Sequence, residues 1–323
     1  MNTNIRISDF KLGDFIEGFF IIKSMNIKTS SNNKNFIDFN LVDKTGEINA
    51  KLWDSNKDDE KKYSEGKLVK VRGNVSEWQG KLQLKIIKIR PANDEDNLVI
   101  DDYVPSAPEK TEIMYEKILD YIREINNKDI HNIVSYIFKE SKEKLMFYPA
   151  AKSNHHAILG GLLYHILTML RTAEKLCEIY TFLDKNLLFG GVILHDIAKL
   201  EEMDSNELGI VSSYTSEGEL LGHIIQGINK IEKVSEKLNT DKEITTLLQH
   251  MILSHHYEPE FGSPKRPMIP EAEILHYLDV IDARMFDMKR TLESTKPKGF
   301  SDKIWTLHNR RLYKPSYQNL NEE

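Results

Sequence analysis

The sequence predicts two unlike domains, a small all-β barrel followed by an all-α helical domain, and three observations predict it. Residues 15–90 form a series of short segments rich in β-branched and aromatic residues, set between turn-forming breaks. A stretch with three prolines and many acids follows. From Thr111 onward the apolar residues recur three and four apart, the period of a helix that buries one face. A chain of 323 residues suits about two domains, and 40% hydrophobic with 29% charged residues is enough to bury a sizeable core.

Taken in order, the strand-like segments are FIEGFFII, NFIDFNLVD, INAKLW, KLVKVRGNV and KLQLKIIKIR. They are separated by SSNNK, DKTGE, SNKDDEKKYSEG and EWQG, which carry turn and loop residues. Five such strands, with no second set to build a sandwich, predict a small closed barrel over residues 12–92. PANDEDNLVIDDYVPSAPEK marks a linker, placed at 93–112. The helical domain is expected over 113–300, from runs such as EIMYEKILDYIREI, DIHNIVSYIFKE, GGLLYHILTMLRTAEKLCEIY, LLGHIIQGINKIEKVSEKL and EITTLLQHMILSHH. The basic and aromatic tail, 301–323, is expected on the surface. Trp305, Arg310, Arg311 and Tyr313 there are open to a homo-oligomer interface or to the substrate.

Charge divides along the same line. Residues Lys11 to Ala92 carry 16 basic and 11 acidic side chains, a net +5, which leaves −11 for the rest of a chain whose total is −6. A mildly basic module joined to an acidic body fits a polyanion grip attached to a metal-binding core, or two domains that merely differ in surface charge. With Cys177 as the single cysteine, an internal disulfide and thiolate metal clusters are excluded, and a cytoplasmic setting is expected. No apolar run approaches the roughly 20 residues that cross a bilayer, so no membrane partner is expected.

Histidines punctuate the helical half. His165 closes GGLLYH, His195 and Asp196 close GGVILHD, His223 lies in LLGHII, His255 and His256 end ILSHH, and Asp279 lies in LHYLDVIDARM. A single helical histidine is usually a satisfied core residue. Five such sites on successive apolar runs are not explained that way, because each buried unpaired charge costs several kcal/mol. A divalent cation, or two, pairs them directly, with His giving neutral nitrogens and Asp giving charge.

In the barrel, DFNLVDKTGEINAKLWD followed by GKLVKVRGNVSEWQGKLQLKI resembles the OB-fold, the oligonucleotide/oligosaccharide-binding barrel of the anticodon-binding type, over residues 12–92. Such barrels stack bases on exposed rings in a basic groove. The candidate rings are Phe36, Trp53 and Trp78, with Phe39 assigned to the core, and the candidate phosphate partners are Lys34, Lys51, Arg72 and Lys81.

The order H…HD…H…HH…D resembles the HD superfamily of metal-dependent phosphohydrolases. By position, the resemblance implies that His165, His195, Asp196 and Asp279 hold a first metal. Asp196 then bridges to a second metal completed by His223 and His255, with His256 a further ligand or phosphate contact. Asp279 and Asp282 compete for the last position, and LHYLDVID favours Asp279. Lys199, four residues after His195 and hence on its helical face, is placed to bind a phosphate oxygen or to face water as a helix-end lysine.

An OB-fold fused to an HD-type domain, with SNHHAILGGLLYH, HDIAKLEE and SHHYEPEFGSPKRP, resembles the YhaM family of bacterial 3′-to-5′ exoribonucleases. The resemblance runs from about Asp14 to Tyr313. It implies a metal-dependent 3′-to-5′ exonuclease that hydrolyses single-stranded RNA, and in some members single-stranded DNA, by two-metal activation of water. Manganese is the favoured ion, with magnesium, cobalt, iron or zinc as alternatives. His155 and His156 match a family motif and are cast as substrate contacts or leaving-group acids, His156 being the catalytic candidate beside Asp196 and Lys199. Lys265 and Arg266 are expected to touch the strand from a loop over the cleft. Two other readings compete. One is an HD-type nucleotide phosphohydrolase or cyclic-nucleotide phosphodiesterase, which the polymer-binding barrel opposes. The other is a non-catalytic single-strand-binding protein, which the complete ligand set opposes.

Overall fold

The structure, a computed structural model, describes residues 5–30, 33–98, 102–152 and 156–317. It divides into two compact units, Met1–Ser106 and Ala107–Glu323, and the division falls within the proline-rich stretch.

The first unit is a closed barrel of β1 (Phe15–Thr29), β2 (Asn35–Asp43), β3 (Gly46–Trp53), β4 (Leu68–Trp78) and β5 (Lys81–Pro91), in the order β1-β2-β3-β5-β4. All neighbours are antiparallel except β3 and β5. Alternation aims Ile37, Phe39 and Leu41 of β2, and Ile48 and Ala50 of β3, into a core with Phe20, Val71 and Leu84. Their neighbours Phe36, Asp38, Lys51 and Trp53 therefore stand on the outer face. A register shift between Ile22 and Ser24 lets the long β1 bend and pair with both β2 and β4. The charged segment between β3 and β4, expected to be only a break, contains a short helix α1 (Lys57–Lys62). Asn56 starts it by accepting from the backbone of Asp58 and Asp59, a local cap that overrides the loop-like composition.

The second unit is helical: α2 (Thr111–Arg123), α3 (Lys128–Glu140), α4 (Lys142–Leu145), α5 (Gly161–Ile179), α6 (Lys185–Leu194), α7 (Lys199–Glu202), α8 (Ser216–Leu238), α9 (Lys242–Ser254) and α10 (Pro270–Ser294). The all-α expectation misses a two-stranded hairpin, β6 (Met203–Ser205) with β7 (Val211–Tyr214), too short to show a strand period. α6 is the centre of the unit. Every residue from Leu187 to Leu194 is buried, and it packs on α3, α5, α9 and α10. At Gly191 the Met251 side chain of α9 fills the space a side chain would take, its Cε lying 2.2 Å from where a Cβ would stand. The tail is tied down rather than lying loose: Phe300 bridges to Tyr313, Ile304 to Arg310, and Leu307 is fully buried. Among the described residues no helix is long and apolar enough to cross a membrane.

Candidate metal centre

The site forms where α5, α6, α8, α9 and α10 meet. His195 follows the last residue of α6 and His255 the last residue of α9. The carbonyls of a last helical turn lack partners inside the helix. Each histidine supplies one with its ring: His195 Nδ1–H donates to Val192 O at 2.8 Å, and His255 Nδ1–H to Ile252 O at 2.7 Å. That bond fixes the tautomer and turns Nε2 forward as a lone-pair donor. His256 does the same with Phe261 O. His165, inside α5, uses Asp282 instead, with Nδ1 2.7 Å from Oδ2. His223 uses Glu202, 3.1 Å from Nδ1.

The forward nitrogens gather around Asp196, which is 2% exposed. Its Oδ2 lies 3.7 Å from His165 Nε2 and 3.4 Å from His195 Nε2. Its Oδ1 lies 3.5 Å from His223 Nε2 and 3.9 Å from His255 Nε2. Asp279 adds Oδ1, 3.4 Å from His165 Nε2. Ligand atoms of His165, His195 and Asp279 all lie within 4.8 Å of one another, as do those of His223, His255 and His256. Asp196 Oδ1, His223 Nε2 and His255 Nε2 are buried with no hydrogen-bond partner among the described residues. Leaving a buried polar group unsatisfied costs about 1–3 kcal/mol, more for a charge, so three in one place fit a cation site. The two His165 and His195 Nε2 atoms stand 3.2 Å apart, another juxtaposition that a shared cation relieves.

Electrostatics agrees. Burial pushes Asp196 up, yet Lys199 and His195 outweigh it and hold the carboxyl well below its usual range. Asp279 is likewise pushed up by burial and held well down by His165. Burial, with the neighbouring His256 and His195, drives His255 down, so its ring stays neutral. His165 is pushed down by burial, but Asp279 and Asp282 outweigh this and raise it to about 10. Ionised carboxylates and neutral imidazoles are the forms that bind metal. On His165 the cation would replace a proton.

Several expected residues stand elsewhere than the sequence suggested. Lys199 is half-buried and donates to Asp196 Oδ2 at 2.7 Å. It does so from the first residue of α7, which follows a turn because α6 ends before His195, and its partner is the aspartate three residues back rather than His195 four back. His156, expected beside the site as a substrate contact or leaving-group acid, lies against Asp282 and the His165 ring. It is 1% exposed, its Nε2 lies 2.7 Å from Asp282 Oδ2, and its ring packs on Phe286 at 4.0 Å. Asp282 is thus shared by His156 and His165, on the side of His165 opposite Asp279. Burial raises the Asp282 pKa, and its bonds to the two histidines bring it well below the carboxylate range. His155 lies outside the described residues. Lys265 is exposed, and Arg266 pairs with Glu258 at 3.1 Å and covers the Tyr257 ring. Of the two acids that compete in the sequence for the last position, Asp279 faces His165 Nε2 and Asp282 backs its Nδ1, while the support Glu202 had no signal of its own, because it acts across 21 residues.

On the barrel, Phe36 and Trp53 stack at 4.6 Å with Lys51 over both rings. Phe36 is nearly buried under this stack, so Trp53, 42% exposed, offers the open ring. Phe39 is core. Trp78 is 64% exposed beside Lys81, at the turn joining β4 to β5. Lys34 pairs with Asp54 at 3.0 Å. Arg72 departs from expectation. It lies across the β1–β4 pair with its charge held by Glu17, away from the β2–β3 face.

Residues 162–284 match the family described as HD domain, and residues 22–92 match that described as OB-fold nucleic acid binding domain. A third match, to a family described as a helicase, covers 105–186. The chain has no Gly-x-x-x-x-Gly-Lys-Ser/Thr phosphate loop to accompany that match. Among curated proteins, a 3′-5′ exoribonuclease YhaM from Geobacillus sp. is 43% identical over 314 residues, 97% of this chain and 96% of that protein. The 3′-5′ exoribonuclease YhaM of Bacillus subtilis is 42% identical over 307 residues, 95% of this chain and 97% of that protein.

Proposed function

The chain belongs to the YhaM family of 3′-5′ exoribonucleases, and from that premise we propose which residues do the work. It is a metal-dependent 3′-5′ exonuclease that hydrolyses phosphodiester bonds of RNA, with an OB-fold nucleic-acid-binding barrel ahead of an HD domain. The observation that carries the assignment is Asp196, whose two oxygens each face a separate pair of histidine nitrogens.

In this reading His165, His195, Asp196 Oδ2 and Asp279 hold one cation. Asp196 Oδ1, His223, His255 and His256 hold the other. All donors are nitrogen or oxygen, a set that accepts manganese, iron, cobalt, magnesium or zinc, and the family resemblance favours manganese. Bound cations supply an acidified water at neutral pH and offset the charge that grows on the scissile phosphate. The chain's part is to hold the donors rigidly. Ring N–H groups tied to Val192, Ile252 and Phe261 carbonyls keep the Nε2 lone pairs aimed without reorganisation. Lys199 balances the buried Asp196 and sets an ammonium at the edge of the site, where a phosphate oxygen would gain from it. His156 and Asp282 hold the His165 ring in place. Trp53 and Trp78, with Lys51, Lys81 and Lys34, take the single strand by stacking and charge.

The test is single-stranded RNA labelled at either end, incubated with the purified protein and manganese. Mononucleotides released from the 3′ end alone are expected. Turnover of free nucleotides with no attack on the polymer would overturn the polymer assignment.

A further inference from the structure

The five rings at the site are held in two ways. His195, His255 and His256 give their Nδ1–H to backbone carbonyls, whereas His165 and His223 are held by carboxylates, Asp282 and Glu202. Each proposed cation position therefore contains one histidine backed by an anion. His195 and His255 come ready aimed, because each caps its own helix. His223 has no such device. It lies inside α8 directly after Gly222, whose φ of 69° and ψ of 162° break the helix. The break turns the backbone N–H of His223 onto Glu202 Oε1 at 3.1 Å, while both Glu202 oxygens lie 3.1 Å from the ring Nδ1. One carboxylate thus fixes the main chain and the ring of the same residue.

The base of this clamp is rigid as well. Glu202 ends α7, and its carbonyl accepts from Thr215 N at 2.9 Å at the start of α8. An anion behind an imidazole makes the ring a stronger donor, and removing such a partner lowers metal affinity by about 10–100-fold.

We propose that Glu202 is the positioning residue of the second cation position: it alone sets the tautomer and aim of His223, and the Gly222 break exists to bring His223 onto it. This rests on the two-cation reading above. Glu202 touches neither substrate nor cation, and its action runs through His223.

The test is calorimetric titration of manganese into the full-length protein and its E202A and E202Q variants, with circular dichroism to follow folding. The wild type takes up two ions per chain. E202A keeps the first and binds the second at least about 10-fold more weakly. E202Q retains an acceptor for His223 and falls between the two. Two ions bound equally well by wild type and E202A would overturn the Glu202 assignment and leave the two-cation reading intact. A wild type that takes up one ion would overturn that reading and the assignment with it. Equal loss of both ions in a folded E202A would show a general structural role and also overturn the assignment.

Discussion

The proposed strand-binding face of the barrel and the candidate metal centre are both suited to charged ligands, and they are built in opposite ways. On the barrel, the charged candidates Lys34 and Arg72 are exposed and already paired, Lys34 with Asp54 and Arg72 with Glu17. At the metal centre, Asp196, His195 and His255 are buried, and every ring has its second nitrogen tied to a named partner. A surface that slides along a polymer gains from side chains that can change partners. A site that must aim lone pairs at a cation gains from side chains that cannot move. Substitutions should therefore have large, specific effects at the centre and graded effects on the barrel.

The largest is expected from Asp196→Ala, which takes a donor from both proposed positions. Hydrolysis of 3′-labelled RNA should fall by roughly a thousandfold or more, the several kcal/mol that metal activation supplies. RNA binding, measured by fluorescence anisotropy, should persist, which would sharpen the contrast between the two regions. Asp282→Ala comes next. His165 and His156 lose a shared acceptor, and manganese affinity should drop by about 10–100-fold in titration. Unchanged affinity would mean that His165 is aimed by packing alone.

On the barrel, Trp53→Ala should weaken single-strand binding by about 1–3 kcal/mol, and leave cleavage of a very short substrate near normal. A loss of cleavage on that short substrate would break the proposed division of labour. Arg72→Ala should change binding least, by less than about 1 kcal/mol, since Glu17 already holds that guanidinium on another face.

The cluster of histidines and aspartates proposed as ligands stands out in the sequence because its members interrupt apolar helices at points where a polar residue has no packing reason to be. The barrel was legible because its strands are β-branched and separated by turn residues. What was not legible depends on contacts distant in sequence. Asp282 reads as a rival ligand to Asp279 until His165, 117 positions away, is seen with its Nδ1 against it. Glu202 reads as a helix-end acid until the Gly222 break brings His223 to it. Phe36 looked like an open ring, and only the cross-strand pairing with Trp53 covers it. Lys199 reads from spacing as a phosphate contact or a solvated helix end, and the turn between α6 and α7 brings it instead onto Asp196 Oδ2.

The central claim is that the two oxygens of Asp196 serve two cations. Crystals grown with manganese, measured at the manganese absorption edge, test it most directly. Two anomalous peaks are predicted, one against Asp196 Oδ2 among His165, His195 and Asp279, the other against Oδ1 among His223, His255 and His256. A single peak, or peaks that do not touch Asp196, would contradict it.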